Sequence, residues 1–298
     1  MGGAEGETSE GDGARAARGG RTRVPAWREE PMRLSSWIVW GGLCLALAAP
    51  ALPAAAQDEE EDASRLAAAL NQPQLIRQGK GVYEGYGVGC HGEKGDGNGP
   101  AARWLDPKPR DFTRAAFKFR TTPSGTLPTD QDLHRTISRG VFRSSMPAWF
   151  LMPESEKVAV IQYIKTFSDR WKDPYEYEPP IFIPDPPDFV GTPESIARGK
   201  ELYKLMRCYN CHGETGHGDG PSAATLTDDH GRKIRPFDFT SGVLKGGPGL
   251  KDIYRTFSTG LDGTPMPSYY DSLPNDEDRW HLVSYIISLR NQGKHKKK

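Results

Sequence analysis

The sequence is short of the residues that would tie an exported chain together covalently. It has four cysteines in 298 residues. One of them, Cys44, lies in an apolar run near the N-terminus, which leaves Cys90, Cys208 and Cys211 for the remainder. An odd number makes a poor disulfide framework. An excess of charge is also missing, since 39 Lys and Arg balance 39 Asp and Glu. Without a basic stripe the chain has no electrostatic footprint for nucleic acid. Long hydrophobic runs are absent too. The apolar stretch "WIVWGGLCLALAAPAL" at 37–52 falls short of the roughly 20 residues that span a bilayer. Glycine (34) and proline (25) are plentiful, and such punctuation predicts long loops between short helices.

Residues 1–31 are rich in Gly, Ala and Arg, without hydrophobic periodicity, and are not expected to fold. Met32 then opens a basic start, "MRLSS", followed by the apolar run and the small residues "PAAAQ". That is the plan of a secretory signal, with cleavage expected after Ala56 and Met32 as the true start. Residues 1–56 are therefore read as leader and signal peptide. Their removal is neutral in charge, with six Arg against six Asp and Glu. The flanking "WGGL" suits lipid attachment at Cys44 poorly, so Cys44 reads as a small apolar residue of the signal. Membrane association would follow only from an uncleaved signal. Residues 57–73 open with the acidic "QDEEEDAS" and are expected to be disordered; residues 292–298 end in the basic "GKHKKK", read as a solvated tail.

The rest of the chain repeats itself. "LIRQGKGVYEGYGVGCHGEKGDGNGP" (75–100) aligns with "SIARGKELYKLMRCYNCHGETGHGDGP" (195–221), with one extra residue in the second copy. "DFTRAAFK" (111–118) aligns with "DFTSGVLK" (238–245), and "DLHRTISRGVFRSSMP" (132–147) with "DIYRTFSTGLDGTPMP" (252–267) at a constant offset of 120. Val160, Tyr163, Ile164 and Phe167 match Leu282, Tyr285, Ile286 and Leu289, each set at the i, i+3, i+4, i+7 spacing of a helix packed on a core. Two tandem domains follow, at 74–172 and 193–291, joined by a stiff, Pro-rich linker at 173–192. Each domain should have a helix running up to its cysteine, a second at 130–139 or 250–259, and a third at 154–168 or 276–290. Thr129 or Asp130 is a candidate cap for the second helix, and Asn275 with Asp278 resembles a capping box for the last. Domains this small bury little core for their length, so a large apolar ligand at the centre of each would help to hold it together.

The chemistry lies in "CYNCH", residues 208–212. Cys-x-x-Cys-His is the attachment sequence of c-type haem: two thiols on one helical turn reach the two vinyl groups, and the adjoining His supplies an axial nitrogen. A disulfide and a zinc half-site are the competing readings. Zinc would need a second ligand pair, for which Cys90 and His91 in the other domain are weak candidates. With these motifs the chain resembles the class I cytochrome c superfamily in tandem dihaem form, over about 74–170 and 193–290. The resemblance implies an all-α fold, with each domain wrapped around a haem. It further implies axial methionines in Met-Pro steps: Met146 follows His91 by 55 residues and Met266 follows His212 by 54. Gly79 and Gly199 would let the first helix of each domain press on the last, near Val158 and Trp280. His134, Met152, His217 and His230 have no matching counterpart in the other copy and read as surface or packing residues. The glycines of "GDGNGP" and "GHGDGP" are expected to bring the backbone close over the ring.

The first copy departs from the pattern at Gly87, where the first cysteine belongs. Three readings stand: a haem held by one thioether through Cys90, with His91 and Met146 axial; a haem-free interaction module; or an altered residue. Retention of Cys90, His91 and Met146 favours the first, giving two haems c per chain, the first held by a single thioether, with one haem if that domain is empty. With His/Met ligation and no open position, the resemblance implies an electron carrier working between redox-protein partners in a bacterial periplasm. The alternative is a dihaem enzyme of peroxidase type.

Overall fold

The computed structural model describes residues 72–295, with side chains to 292. The leader, the proposed cleavage site and most of the acidic stretch lie outside the described residues. Among those described, the chain is helical, and its only β pairings are isolated bridges (Thr227 with Lys233, Leu244 with Gly247). The first domain contains α1 (Gln72–Tyr86), α2 (Val88–His91), α3 (Asp130–Arg139) and α4 (Glu154–Lys165). The second repeats the series as α5 (Pro193–Leu205), α6 (Tyr209–His212), α7 (Leu250–Thr259) and α8 (Asp276–His295). Helix α1 thus starts within the stretch read as disordered, and α8 runs beyond position 292 into the expected tail.

In each domain the first long helix lies on the last, and a glycine sets how closely. A Cβ on Gly79 would stand 2.5 Å from the carbonyl carbon of Ala159 and 2.9 Å from Tyr163 Cβ; one on Gly199 would stand 2.7 Å from the carbonyl carbon of His281 and 2.8 Å from Tyr285 Cβ. The contact therefore falls one residue beyond each expected position. Apolar stripes from these helices meet α3 or α7 in separate cores, one around Tyr83, Leu133 and Ile161, the other around Tyr203, Ile253 and Val283.

Caps explain most of the boundaries. Thr129 Oγ1 accepts the Asp132 N–H at 3.1 Å while the Asp132 carboxylate accepts the Thr129 N–H at 3.1 Å, a full capping box for α3. In α7, glycine replaces the threonine and only the return bond survives, Gly249 N–H to Asp252 at 3.1 Å. The box expected at Asn275 and Asp278 is not formed. Asn275 accepts from the Glu277 N–H at 2.9 Å, while Asp278 reaches Arg198 on α5 at 3.0 Å, a better partner for a carboxylate than a backbone amide. Helix α4 stops at Lys165, short of the expected 168, because Thr166 and Phe167 tighten to i→i−3 bonds before Ser168 caps a new 3₁₀ turn.

The Pro-rich segment between the domains is extended apart from a 3₁₀ turn, Pro174–Glu176, and a hydrogen-bonded turn at 188–191, and it is fastened down along its length. The Leu127 N–H donates to Glu176 O at 2.9 Å and the Ile181 N–H to Thr121 O at 2.8 Å, while the Gly191 N–H reaches Ser284 Oγ at 3.1 Å. Direct contacts seal the seam between the domains. Arg120, fully buried, donates to Phe117 O and Pro123 O in its own domain, each at 3.1 Å. Across the seam it donates to Thr259 O and pairs with Asp262, both at 2.8 Å. From the other side Arg143 donates to Ser241 O at 2.8 Å, and Arg114 pairs with Asp229 at 3.1 Å.

Candidate haem sites

Each Cys-His pair ends a one-turn helix, and the imidazole is set by the loop that follows. His212 Nδ1 lies 3.0 Å from Phe237 O, and the ring stacks on Phe239 with centroids 4.5 Å apart at 18°. His91 repeats this, with Nδ1 2.9 Å from Arg110 O and the ring 4.4 Å from Phe112 at 20°. The repeated "DFT" therefore has a specific use. Its Asp accepts the N–H two residues on (Asp111 with Thr113, Asp238 with Thr240, both at 2.9 Å), holding the Phe against the imidazole. The carbonyl just before the motif fixes the ring. Burial lowers the pKa of both imidazoles. A neutral ring that donates Nδ1–H to a carbonyl keeps its Nε2 lone pair available, the arrangement of an axial ligand.

A cavity of about 830 Å³ opens beside His212, lined by Cys208, Cys211, Met266, Phe257 and Tyr269. All four residues expected at the second haem thus border one space, whose size is in the range of roughly 300–1,000 Å³ typical of cofactor pockets. The methionine loops are built alike in both domains. Val141 N–H donates to Met146 O at 3.1 Å and Leu261 N–H to Met266 O at 3.0 Å; Met146 N–H reaches Ser144 Oγ and Met266 N–H reaches Thr264 Oγ1, both at 3.2 Å. The first domain therefore keeps the local geometry of the second at His91 and at Met146.

Residues of the first domain reach the second cavity across the seam: Asp106, Lys118, Phe119 and Arg143 all line it, beside Lys233, Arg235 and Lys245 of the second. Burial pushes Lys118 down to about 8, with Arg110 and Lys245 adding repulsion. A cationic rim around an apolar wall suits a flat apolar ring carrying carboxylates. The zinc and disulfide readings fare worse. No group of three metal-binding side chains converges among the described residues. The three described cysteines are unpaired. The residues present fit haem c.

His134, His217 and His230 do not line the second cavity, though His217 and His230 reach the two DFT segments. His134 is 2.5 Å from Glu154, His217 is 3.1 Å from Thr240 Oγ1, and His230 sits 3.9 Å from Asp111 and from Asp229. Met152 packs on the first core. The glycine loops approach the haem-attachment motif itself closely. A Cβ on Gly99 would stand 2.6 Å from Gly89 O, and one on Gly220 would stand 2.6 Å from the Asn210 carbonyl carbon. Their N–H groups donate to Cys90 O and Cys211 O, each at 3.1 Å, so the loop is hydrogen-bonded to the one-turn helix and needs bare backbone to get there. Sequence reasoning missed Tyr83 and Tyr203 as site residues. Their hydroxyls donate to Gly92 O at 2.8 Å and Gly213 O at 2.7 Å, clamping each motif to its first helix. The signal was present, since both tyrosines fall at matched positions.

Comparison with known proteins agrees with the geometry. The cytochrome c family profile matches residues 196–290, and the profile of cytochrome c oxidase, cbb3-type, subunit III matches 74–164. Among solved structures, a chain of the Kuenenia stuttgartiensis reducing HAO-like protein complex is 47% identical, with a TM-score of 0.68, over 71% of this chain and 95% of that one. No curated protein matches. The chain belongs to the c-type cytochromes, as a tandem two-domain member. It carries haem c, two per chain, and its domains are electron-transfer modules.

Proposed function

We propose that the protein is an exported, periplasmic dihaem electron carrier, with axial pairs His91/Met146 and His212/Met266. Attachment is through Cys90 in domain 74–172 and through Cys208 and Cys211 in domain 193–291. The observation that carries this reading is Met266 bordering the same cavity as His212, in a loop whose hydrogen bonds are repeated around Met146. Bound haem supplies a reversible one-electron change at its iron. The chain orients the imidazoles through carbonyl acceptors, and the Met146 and Met266 thioethers would hold the bound haem from the methionine loops and favour its reduced state. Among the described residues no helix is long and apolar enough to cross a membrane.

The test is the carbon monoxide response of the reduced, haem-loaded protein. The wild type is expected to remain low-spin and to bind the gas poorly, whereas Met266→Ala should bind it at one haem and Met146→Ala at the other. Ready binding by the wild type, with peroxide turnover after half-reduction, would favour the peroxidase-type enzyme instead. Lys118→Met gives a second check. Removing a half-buried cation beside the second cavity should lower that haem's potential by roughly tens of millivolts, the scale of one screened unit charge. An unchanged potential would place the haem carboxylates elsewhere.

The structural relative is a chain of a protein complex. By analogy, the partner proposed here is a redox protein that docks this chain as its electron-transfer subunit. Recovery of the native chain alone, with no redox protein in stoichiometric amount, would count against that assignment.

A further inference from the structure

The two motifs differ at Gly87 by more than a side chain. Tyr83 and Tyr203 match at an offset of 120, but Cys90 and Cys211 match at 121, so the second domain has one more residue between tyrosine and cysteine. The structure shows where it goes. Helix α5 ends in a Schellman motif. Arg207 is left-handed at φ 54°, its N–H donates to Lys204 O at 3.0 Å, and the next N–H, that of Cys208, reaches back five residues to Tyr203 O at 3.0 Å. Cys208 is the first residue after that reversal, and its thiol borders the cavity.

Helix α1 has no such stop. Gly87 is right-handed, at φ −100° and ψ −43°, and its N–H makes an ordinary four-residue bond to Tyr83 O at 2.7 Å. From there the motifs run in step again, with His91 N–H on Gly87 O at 2.8 Å and His212 N–H on Cys208 O at 2.9 Å. The shorter path sets position 87 directly over the tyrosine ring. A Cβ there would stand 2.6 Å from Tyr83 Cδ2 and 2.8 Å from Cε2. Tyr83 cannot yield. It is 2% exposed, its hydroxyl is bonded to Gly92 O, and Tyr163 and Phe167 pack on its ring with centroids 5.4 and 5.2 Å away.

We infer that the missing cysteine is a consequence of the shorter helix exit: position 87 excludes any side chain, so Cys90 is the sole covalent anchor the first domain can offer its haem. This rests on the reading that Cys90 anchors that haem. The bond forms by addition: the Cys90 S–H adds across one vinyl group, sulfur to one carbon and the proton to the other, with no oxidant consumed. The second vinyl group stays unsaturated. The absent thiol is therefore not restored by one substitution, because the residue that would aim it is also absent.

The experiment compares haem-loaded wild type, Gly87→Cys, and Gly87→Cys with one glycine inserted after Tyr86. Intact mass, pyridine haemochrome spectra and free-thiol titration of the denatured proteins are the readouts. Gly87→Cys should keep one titratable thiol and a red-shifted haemochrome component, and the insertion variant should lose both. Gly87→Ala, read by thermal unfolding, tests the steric step whatever the cysteine variants do, and a clear fall in Tm is expected. A Gly87→Ala protein as stable as wild type, or a second thioether in Gly87→Cys without the insertion, would overturn the inference. A wild-type mass showing an unattached first haem would instead sink the reading of Cys90, leaving the Gly87→Ala result to judge position 87 alone.

Discussion

Arg120→Met should destabilise the haem-loaded protein by about 3 kcal/mol, near the lower end of the range for removing one partner of a buried ion pair. The guanidinium is fully buried and serves four acceptors, two in each domain. Methionine fills the space but leaves Thr259 O, Phe117 O and Pro123 O without that donor. Asp262 loses its closest counter-charge but keeps Ser124 Oγ at 2.9 Å and the Gly125 N–H at 3.1 Å, with Arg110 and Arg170 still in electrostatic reach, which is why the upper end of the range is not expected. The loss should appear in denaturant unfolding, with faster proteolysis between the domains. Arg120→Met/Asp262→Asn should be less harmful than the two single losses added together, with a coupling of roughly 1–3 kcal/mol. Strict additivity would mean that the two groups do not act as a pair.

Gly199→Ala is expected to be of similar size for a different reason. An added methyl group would fall within the carbonyl of His281 on α8, against backbone atoms that cannot swing aside and Tyr285 Cβ. The helices must part or bend, at a cost of about 3 kcal/mol, enough to lower Tm by roughly 10–20 °C in a domain of this size. Alanine's better helix propensity, about 1 kcal/mol, offsets only part of such a clash. Gly81→Ala is the control, because that glycine lies within α1 with nothing in the way of a Cβ. It should raise stability by up to about 1 kcal/mol. If both alanines behave alike, the close approach of α5 to α8 is not what Gly199 provides.

What could be read in advance followed from local chemistry and repetition. The bounds of α3 and α7 are set by a cap on one side and Gly140 or Gly260 on the other, all within a few residues in sequence. The Cys-His and Met-Pro steps stood out because they recur. What escaped reading is what the repeat does not contain. Arg120 and Asp262 are close only because two domains meet, and nothing in either copy's pattern marks them as partners. Asp278 looked like a cap until a cation on another helix competed for it. Arg207 holds a backbone conformation usually left to glycine, so its identity gave no sign of the helix stop that aims Cys208. The extra residue was visible in the alignment, but its direction was not.

Asp262 stands four residues before Met266, and its charge partner belongs to the other domain. The loop that presents Met266 is therefore braced by the neighbouring domain as well as by its own hydrogen bonds. A chain made from its N-terminus completes that neighbour first, so the order of synthesis matches the order in which the parts can lock. Exchanging the two domains in sequence, with every contact preserved on paper, would make the dependent half wait for its template. The price would be read in yield of mature protein rather than in final stability.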